Sequence, residues 1–301
     1  MIAIKTENLT KIYKGKKNRT VYALTNLNLE IAKGEIFGFL GPNGAGKSTT
    51  IKLLMSLIYP TSGTFTIFNE KTNCSDYKQN IGFLPENPLF YEYLTGEELL
   101  LFVGKAFGMQ NAEISSGTEK YLKLLELWEE RRRVIRTYSK GMIQRLAFAQ
   151  ALLHNPEIFI LDEPMSGLDP LGRILIRDLI LKLKEDGKTV FMSTHILNDV
   201  ETICDRVGIL VKGELKLVEF IKNIMEKGVK GYMITFKTIS ESLVNFLTSI
   251  SNNISCSSFQ INQEDLSLVL EKISNDKQTE VQIIEPIRKG IEELFMELIN
   301  E

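Results

Sequence analysis

Gly41-Pro42-Asn43-Gly44-Ala45-Gly46-Lys47-Ser48-Thr49 fits the pattern G-x-x-x-x-G-K-[ST] at every fixed position, and its flanks give the pattern its meaning. Upstream, Glu35-Ile36-Phe37-Gly38-Phe39-Leu40 has the apolar character of a buried strand. Downstream, Ile51, Leu54, Met55 and Ile58 recur at helical spacing. Strand, glycine loop and helix in that order make a phosphate cradle. The glycines let backbone N–H groups turn inward, the helix presents its positive end, Lys47 offers a point charge to the terminal phosphates, and the Ser48 hydroxyl can ligate Mg²⁺. A turn that merely capped a helix would not need the Lys-Ser pair.

A chain of 301 residues suggests one large domain and a smaller one. The net charge of -2 gives no case for nucleic acid as a partner. No apolar run approaches the ~20 residues that span a bilayer, and the start, Met1 to Lys14, lacks the apolar core of a signal peptide, so a cytoplasmic location is expected. Cys74, Cys204 and Cys256 lie far apart without a C-x-x-C pair, which suggests plain thiols rather than a disulfide framework or a zinc site.

Residues 2–31 read as strands around the basic loop Lys14-Gly15-Lys16-Lys17-Asn18-Arg19. Tyr13 stands just before that loop, where an aromatic ring serves either to stack a purine base or to close a strand end. Beyond the cradle, Gly63–Phe68 and Asn80–Leu84 read as short strands, the second ended by Pro85. From Thr95 to about Trp128 the pattern is helical and opens on the capping box Thr95-x-x-Glu98, so a helical block is inserted between strands of an α/β core. Arg131, Arg132, Arg133 and Arg136 follow it as a solvated charge run. Tyr138-Ser139-Lys140-Gly141-Met142 then opens an apolar helix with Ser139 as N-cap.

Ile158-Phe159-Ile160-Leu161 is followed at once by Asp162 and Glu163, a buried strand delivering two carboxylates where a doubly wound sheet places its chemistry. Asp162 suits Mg²⁺ through its waters, and Glu163 can face the water that attacks a terminal phosphate. Ser166-Gly167-Leu168-Asp169 makes a turn before a helix opened by Pro170. Lys188 to Thr194 is another strand and ends at His195, placed to hydrogen-bond a phosphate oxygen.

Over about residues 1–220 this set of motifs resembles the nucleotide-binding subunit of an ATP-binding cassette (ABC) transporter. The resemblance implies a P-loop NTPase fold of the α/β class, a RecA-like core with antiparallel β and helical subdomains, the helical one inserted at about residues 88–137. It implies that Tyr13 stacks adenine, that Gly41, Pro42, Asn43, Gly44, Ala45, Gly46, Lys47, Ser48 and Thr49 hold the ATP phosphates, and that Asp162 and Glu163 form the Walker B pair with Glu163 as catalytic base. Ser166 to Asp169 looks like the D-loop and His195 like the switch histidine. Ser48, Glu86 and Asp162 stand at the positions around Mg²⁺. Tyr138 to Met142 resembles the signature Leu-Ser-Gly-Gly-Gln, of which Ser139 and Gly141 are identical. In the family this segment binds the ATP held by another subunit, which implies an ATP-sandwich dimer, here a homodimer. It also implies an integral-membrane permease as partner, with the chain held on the inner face of the membrane through it.

Two departures stand out. Lys140 and Met142 replace a glycine and a glutamine, a variant associated with bacterial exporters that pair an ATPase chain with a permease chain. Glu86 replaces the usual glutamine, although a carboxylate is still a hard oxygen ligand.

From about residue 221 the composition changes. Gly231–Phe236 and Val281–Ile284 alternate like strands, while Leu243–Ile250, Leu266–Ile273 and Gly290–Asn300 look helical. Residues 221–301 are therefore expected to form a small accessory α+β domain for dimerisation or docking. The rival reading is a soluble ABC-class ATPase of DNA repair or translation. Against it, the space between the core halves lacks sustained heptads, and the chain has one cradle motif.

Overall fold

The computed structural model describes every residue except 15–19, 69, 72–74, 228, 252, 256, 257, 277, 289, 290 and 301. Most of the basic loop, together with Cys74 and Cys256, lies outside the described residues. The chain divides into two compact units, Met1–Glu219 and Phe220–Glu301.

In the first unit, one sheet is antiparallel. It runs β2 (Thr20–Ala32), β1 (Ile2–Lys14), β4 (Ser62–Ile67), β5 (Glu70–Lys71). The other has six strands in the order β10 (Glu214–Phe220), β9 (Arg206–Val211), β3 (Ile36–Leu40), β8 (Thr189–Thr194), β7 (Ile158–Asp162), β6 (Ile81–Leu84). The strands β3, β7 and β8 are buried at every position. That explains their near-continuous apolar sequences, since a parallel sheet is covered on both faces. Helix α1 (Lys47–Leu54) joins the two sheets: its Ile51, Leu53 and Leu54 share one core with Ile4, Leu27 and Phe65 of the antiparallel sheet and Phe39, Ile160 and Phe191 of the other. Each fully buried phenylalanine there contributes roughly 1.5–3 kcal/mol.

The register of the parallel strands places the chemistry. Leu40 lies opposite Thr194, Asp162 opposite Ser193, and Leu84 opposite Leu161, so β3, β6, β7 and β8 end at nearly one level. The residues that follow, Gly41, Glu86, Glu163 and His195, therefore emerge along the same edge of the sheet.

Between β6 and β7 lie α2 (Gly96–Ala106), α3 (Asn111–Leu124) and α4 (Lys140–Leu152). Thr95 and Glu98 form the expected capping box at α2, and at α3 the Gln110 N–H donates to Glu113 Oε2 at 2.9 Å. Of the apolar residues at helical spacing in α2, Leu99 and Val103 are buried but Phe102 is 56% exposed. Its ring instead meets Tyr91 edge-on at 6.2 Å, beside Tyr93, in an aromatic cluster on the surface. The unit is completed by α5 (Pro170–Glu185), capped by Asp169, and α6 (Leu197–Ile203). Cys204, just past α6, is buried against β3: a Cβ at Gly38 would lie 2.7 Å from its Sγ, and burial pushes its thiol pKa far up. It is an inert packing residue.

The second unit holds α7 (Ile221–Lys227) and a sheet ordered β12 (Asn253–Ser255), β13 (Ser258–Asn262), β11 (Val229–Thr238), β14 (Glu280–Arg288). Ile234 and Phe236 of β11 and Phe259 and Ile261 of β13 pack with Leu243 and Leu247 of α8 (Glu241–Ile250) and Val269 of α9 (Leu266–Asn275). Helix α10 (Ile291–Asn300) ends the described chain. No helix among the described residues is long and apolar enough to cross a membrane.

Candidate active site

The glycine loop takes its shape from what crowds it. A Cβ at Gly41 would lie 2.4 Å from the Leu210 carbonyl oxygen of β9. Gly46, at φ +112°, would bring one to 2.3 Å from the Ala23 carbonyl oxygen. Neither position admits a side chain, so the backbone itself forms the wall. Helix α1 starts at Lys47 with no side-chain cap and no acidic residue in its first turn, which leaves its positive end for an anion. Lys47 is only 6% exposed. Its Nζ donates to the carbonyls of Gly41 at 2.6 Å and Pro42 at 3.3 Å and lies 3.7 Å from Glu163 Oε1. Burial pulls its pKa below the usual lysine value, an effect partly offset by the charges of Glu163 and Asp162.

Asp162 and Glu163 are both buried at the end of β7. One hydroxyl from β8 holds the pair in place. Ser193 Oγ donates to Asp162 Oδ1 at 2.5 Å and accepts from the Glu163 N–H at 3.1 Å. Ser48 Oγ donates to the same Oδ1 at 3.4 Å. Glu163 occupies the left-handed region at φ +50°, a conformation that costs a non-glycine residue about 1–3 kcal/mol. His195 Nδ1 lies 2.9 Å from both Glu163 carboxylate oxygens, so its N–H is shared between them. The imidazole thus meets the carboxylate directly through Nδ1, and the residue also lines the cleft in which the sequence reading expects a phosphate.

These groups face one cleft of about 410 Å³, within the size range of small-molecule sites. Pro42, Asn43, Gly44, Gly46, Lys47, Ser48 and Thr49 line it, as do Glu86, Glu163, Ser166 and His195. Gly41, Ala45 and Asp162 are not among the lining residues, although Gly41 accepts from Lys47 and Asp162 from Ser48, both of which are. Tyr13 is not among the lining residues. It sits at the end of β1 opposite Val21, which does line the cleft, with the Lys11 ammonium 5.1 Å from its ring centre. Ser139 and Gly141 lie away from the cleft at the start of α4, where Ser139 Oγ accepts from the Met142 N–H at 3.2 Å. Asp169 accepts from the Gly172 N–H at 3.2 Å as the cap of α5.

Among the described residues no three His, Cys, Asp or Glu side chains cluster as a self-contained metal site. That agrees with the donor chemistry here: Mg²⁺ is held by one or two carboxylates together with phosphate oxygens and waters, and the hard oxygens of Ser48 and Asp162, with Glu86 across the cleft, fit that pattern.

Sequence reasoning missed three residues. Ser193 looked like one more strand residue, and its register opposite Asp162 becomes visible only in the sheet. Tyr22 lines the cleft although Tyr13 carried the aromatic expectation. Gln144, 2% exposed, donates its amide to the Pro164 carbonyl at 3.2 Å and ties α4 to the loop after Glu163. No sequence signal marked it, because α4 also carries Lys140, Arg145 and Gln150 and only the fold shows that Gln144 is the buried one of the four.

Residues 24–166 match the family model described as ABC transporter. The uncharacterized ABC transporter ATP-binding protein YcbN of Bacillus subtilis (strain 168) is 35% identical over 99% of this chain and 97% of its own length. The bacitracin transport ATP-binding protein BcrA of Enterococcus faecalis is 43% identical over 70% of this chain and 67% of its own. Among solved structures, the dimeric post-hydrolysis state of the ATP-binding cassette MJ0796 bound to ADP and Pi superposes with a TM-score of 0.67 at 34% identity, covering 72% of this chain and 98% of that one.

Proposed function

The chain belongs to the ATP-binding subunits of ABC transporters and is an ATPase, and from that premise we propose that it powers export through a permease carried on a separate chain. We propose further that it works as a homodimer, each ATP lying between the cradle of one copy and Ser139 and Gly141 of the other. The observation that carries this reading is the convergence of Lys47, Ser48, Glu163 and His195 on one cleft, with His195 bonded to both oxygens of Glu163. In this proposal the cradle N–H groups and Lys47 bind the phosphates, and Tyr13 closes the adenine end. Ser48 and Asp162, with Glu86 nearby, would hold Mg²⁺, which when bound neutralises charge on the phosphates. Glu163 takes the proton of the attacking water, while the His195 N–H fixes the carboxylate and Ser193 fixes the backbone behind it.

The signature variant at Lys140 and Met142 supports the exporter reading, and a relative named for bacitracin transport supports transport as the purpose. Docking to a permease is supported by exposed apolar side chains in the segment that follows Glu86: Leu89 is 93% exposed, and Tyr91 meets Tyr93 and Phe102 on the surface. Affinity purification from solubilised membranes tests the assignment. An integral-membrane protein should co-purify and stimulate the ATPase; recovery with nucleic acid alone would favour the repair or translation alternative.

Two further outcomes follow from the same reading. Glu86→Gln should change ATP affinity by less than about threefold, because Lys47 and the cradle hold the phosphates, yet shift the ratio of ATP hydrolysed to cargo moved in reconstituted complex. Equal ratios for both proteins would make Glu86 an ordinary loop carboxylate. Truncation after Phe220, which ends β10, should leave nucleotide binding intact, since the second unit has a core of its own and the residues that line the cleft belong to the first. Self-association or permease assembly should weaken, as sedimentation and co-purification would report.

A further inference from the structure

Lys140 occupies a position that disfavours its charge. It is the first residue of α4, where a cation opposes the helix dipole, and the first turn holds no acidic residue to compensate. What the side chain does meet is Gly167. That glycine lies at φ +73°, and a Cβ there would stand 2.5 Å from Cε, 2.8 Å from Cδ and 3.0 Å from Nζ of Lys140. The aliphatic stem of this otherwise exposed lysine therefore lies across the bare backbone of Gly167, whose positive φ already favours glycine. The same helix is joined to the same loop at two more places. Gln144 donates to the Pro164 carbonyl at 3.2 Å, and Gly141 faces the Leu168 side chain. The loop so held carries Glu163 at its start and Ser166 at its middle, both on the cleft.

We propose that Lys140 is a positioning residue whose four-carbon stem braces the Ser166–Leu168 turn against the segment Ser139–Gly141. It fixes that turn, and through it the setting of Ser166 and Glu163, to the part of the chain that meets the nucleotide of a second copy. The stem, not the ammonium, is the working part. This inference rests on the proposed role of Ser139 and Gly141 at the dimer interface.

The test compares full-length wild type, Lys140→Met, Lys140→Gly and Lys140→Ala. Lys140→Met keeps the stem without the charge and should retain turnover within about twofold of wild type. Lys140→Gly and Lys140→Ala remove the stem and should each lower kcat by about tenfold and abolish cooperativity in ATP, with the ATP Kd of the monomer unchanged. Alanine at the first helical position keeps the helix, so agreement between the two short variants separates loss of the brace from loss of folding. Wild-type kcat and cooperativity in both short variants would overturn the brace, as would a Lys140→Met variant as impaired as they are. If wild type forms no ATP-dependent dimer, the underlying reading of Ser139 and Gly141 fails and takes the brace with it; a normal dimer with indifferent Lys140 variants sinks the brace alone.

Discussion

Replacing Glu163 by glutamine is expected to slow single-turnover ATP hydrolysis by ~10²–10⁴-fold while leaving ATP bound. The amide is nearly isosteric with the carboxylate, and the backbone bonds from the Glu163 N–H to Ser193 do not depend on the side chain. Its carbonyl oxygen can still accept from His195, which now meets both carboxylate oxygens at 2.9 Å. What disappears is the ability to take a proton from water. With binding intact and cleavage blocked, the variant should accumulate as a dimer in Mg-ATP, visible as an earlier size-exclusion peak that decays far more slowly than in wild type. Turnover at the wild-type rate would remove Glu163 from the role of base and weaken the assignment of the whole cleft.

Lys47→Ala should fail at an earlier step, losing roughly 10–100-fold in ATP affinity, as expected when one charge-assisted contact of about 1.5–3 kcal/mol is deleted. Isothermal titration would report it directly, and an unchanged Kd would show that the cradle backbone alone carries binding. The same lysine makes a prediction about folding. Burial lowers its pKa below the usual 10.5, so between the two values the unfolded chain binds more protons than the folded one, and stability conferred at this position rises with pH across that window. Below the window the ammonium is charged in both states and the fold bears its desolvation. Lys47→Met, which keeps the stem, should therefore be at least as stable as wild type near pH 7, and its advantage should narrow near pH 10. Denaturant titration at the two pH values measures the difference, and an advantage that grew with pH would contradict the sign of the shift.

The cradle was legible because its chemistry requires adjacent residues: strand, glycines, Lys47 and Ser48 form one continuous segment. The carboxylates were legible for a similar reason, since an apolar strand running into Asp162 and Glu163 permits few other uses. Ser193 was not. Its importance comes from lying opposite Asp162 across two parallel strands, a relation fixed by the crossover through α5 and invisible to local pattern. The same limit hid the start of α3, because Gln110 is an unusual N-cap, and the strands β12 and β13, which alternate but are only 3 and 5 residues long, too short for the period to stand out. Phe102 shows the converse. Its spacing matched a core position, yet the helix turns it outward to the surface aromatics. Periodicity identified the helix but could not say which neighbour each face would meet.

The left-handed backbone at Glu163 has a consequence for any survey of substitutions at that site. Expression level and enzymatic output should sort the variants in different orders. Glycine and asparagine, which settle easily at positive φ, should accumulate as abundant, inert protein; valine and isoleucine, whose branched Cβ resists that geometry, should be depleted from the soluble pool. Aspartate would keep the acid and accept the backbone, but with a side chain one methylene short of its reach. A screen scored by growth alone would merge these classes, and the acidic requirement would look like a requirement for folding.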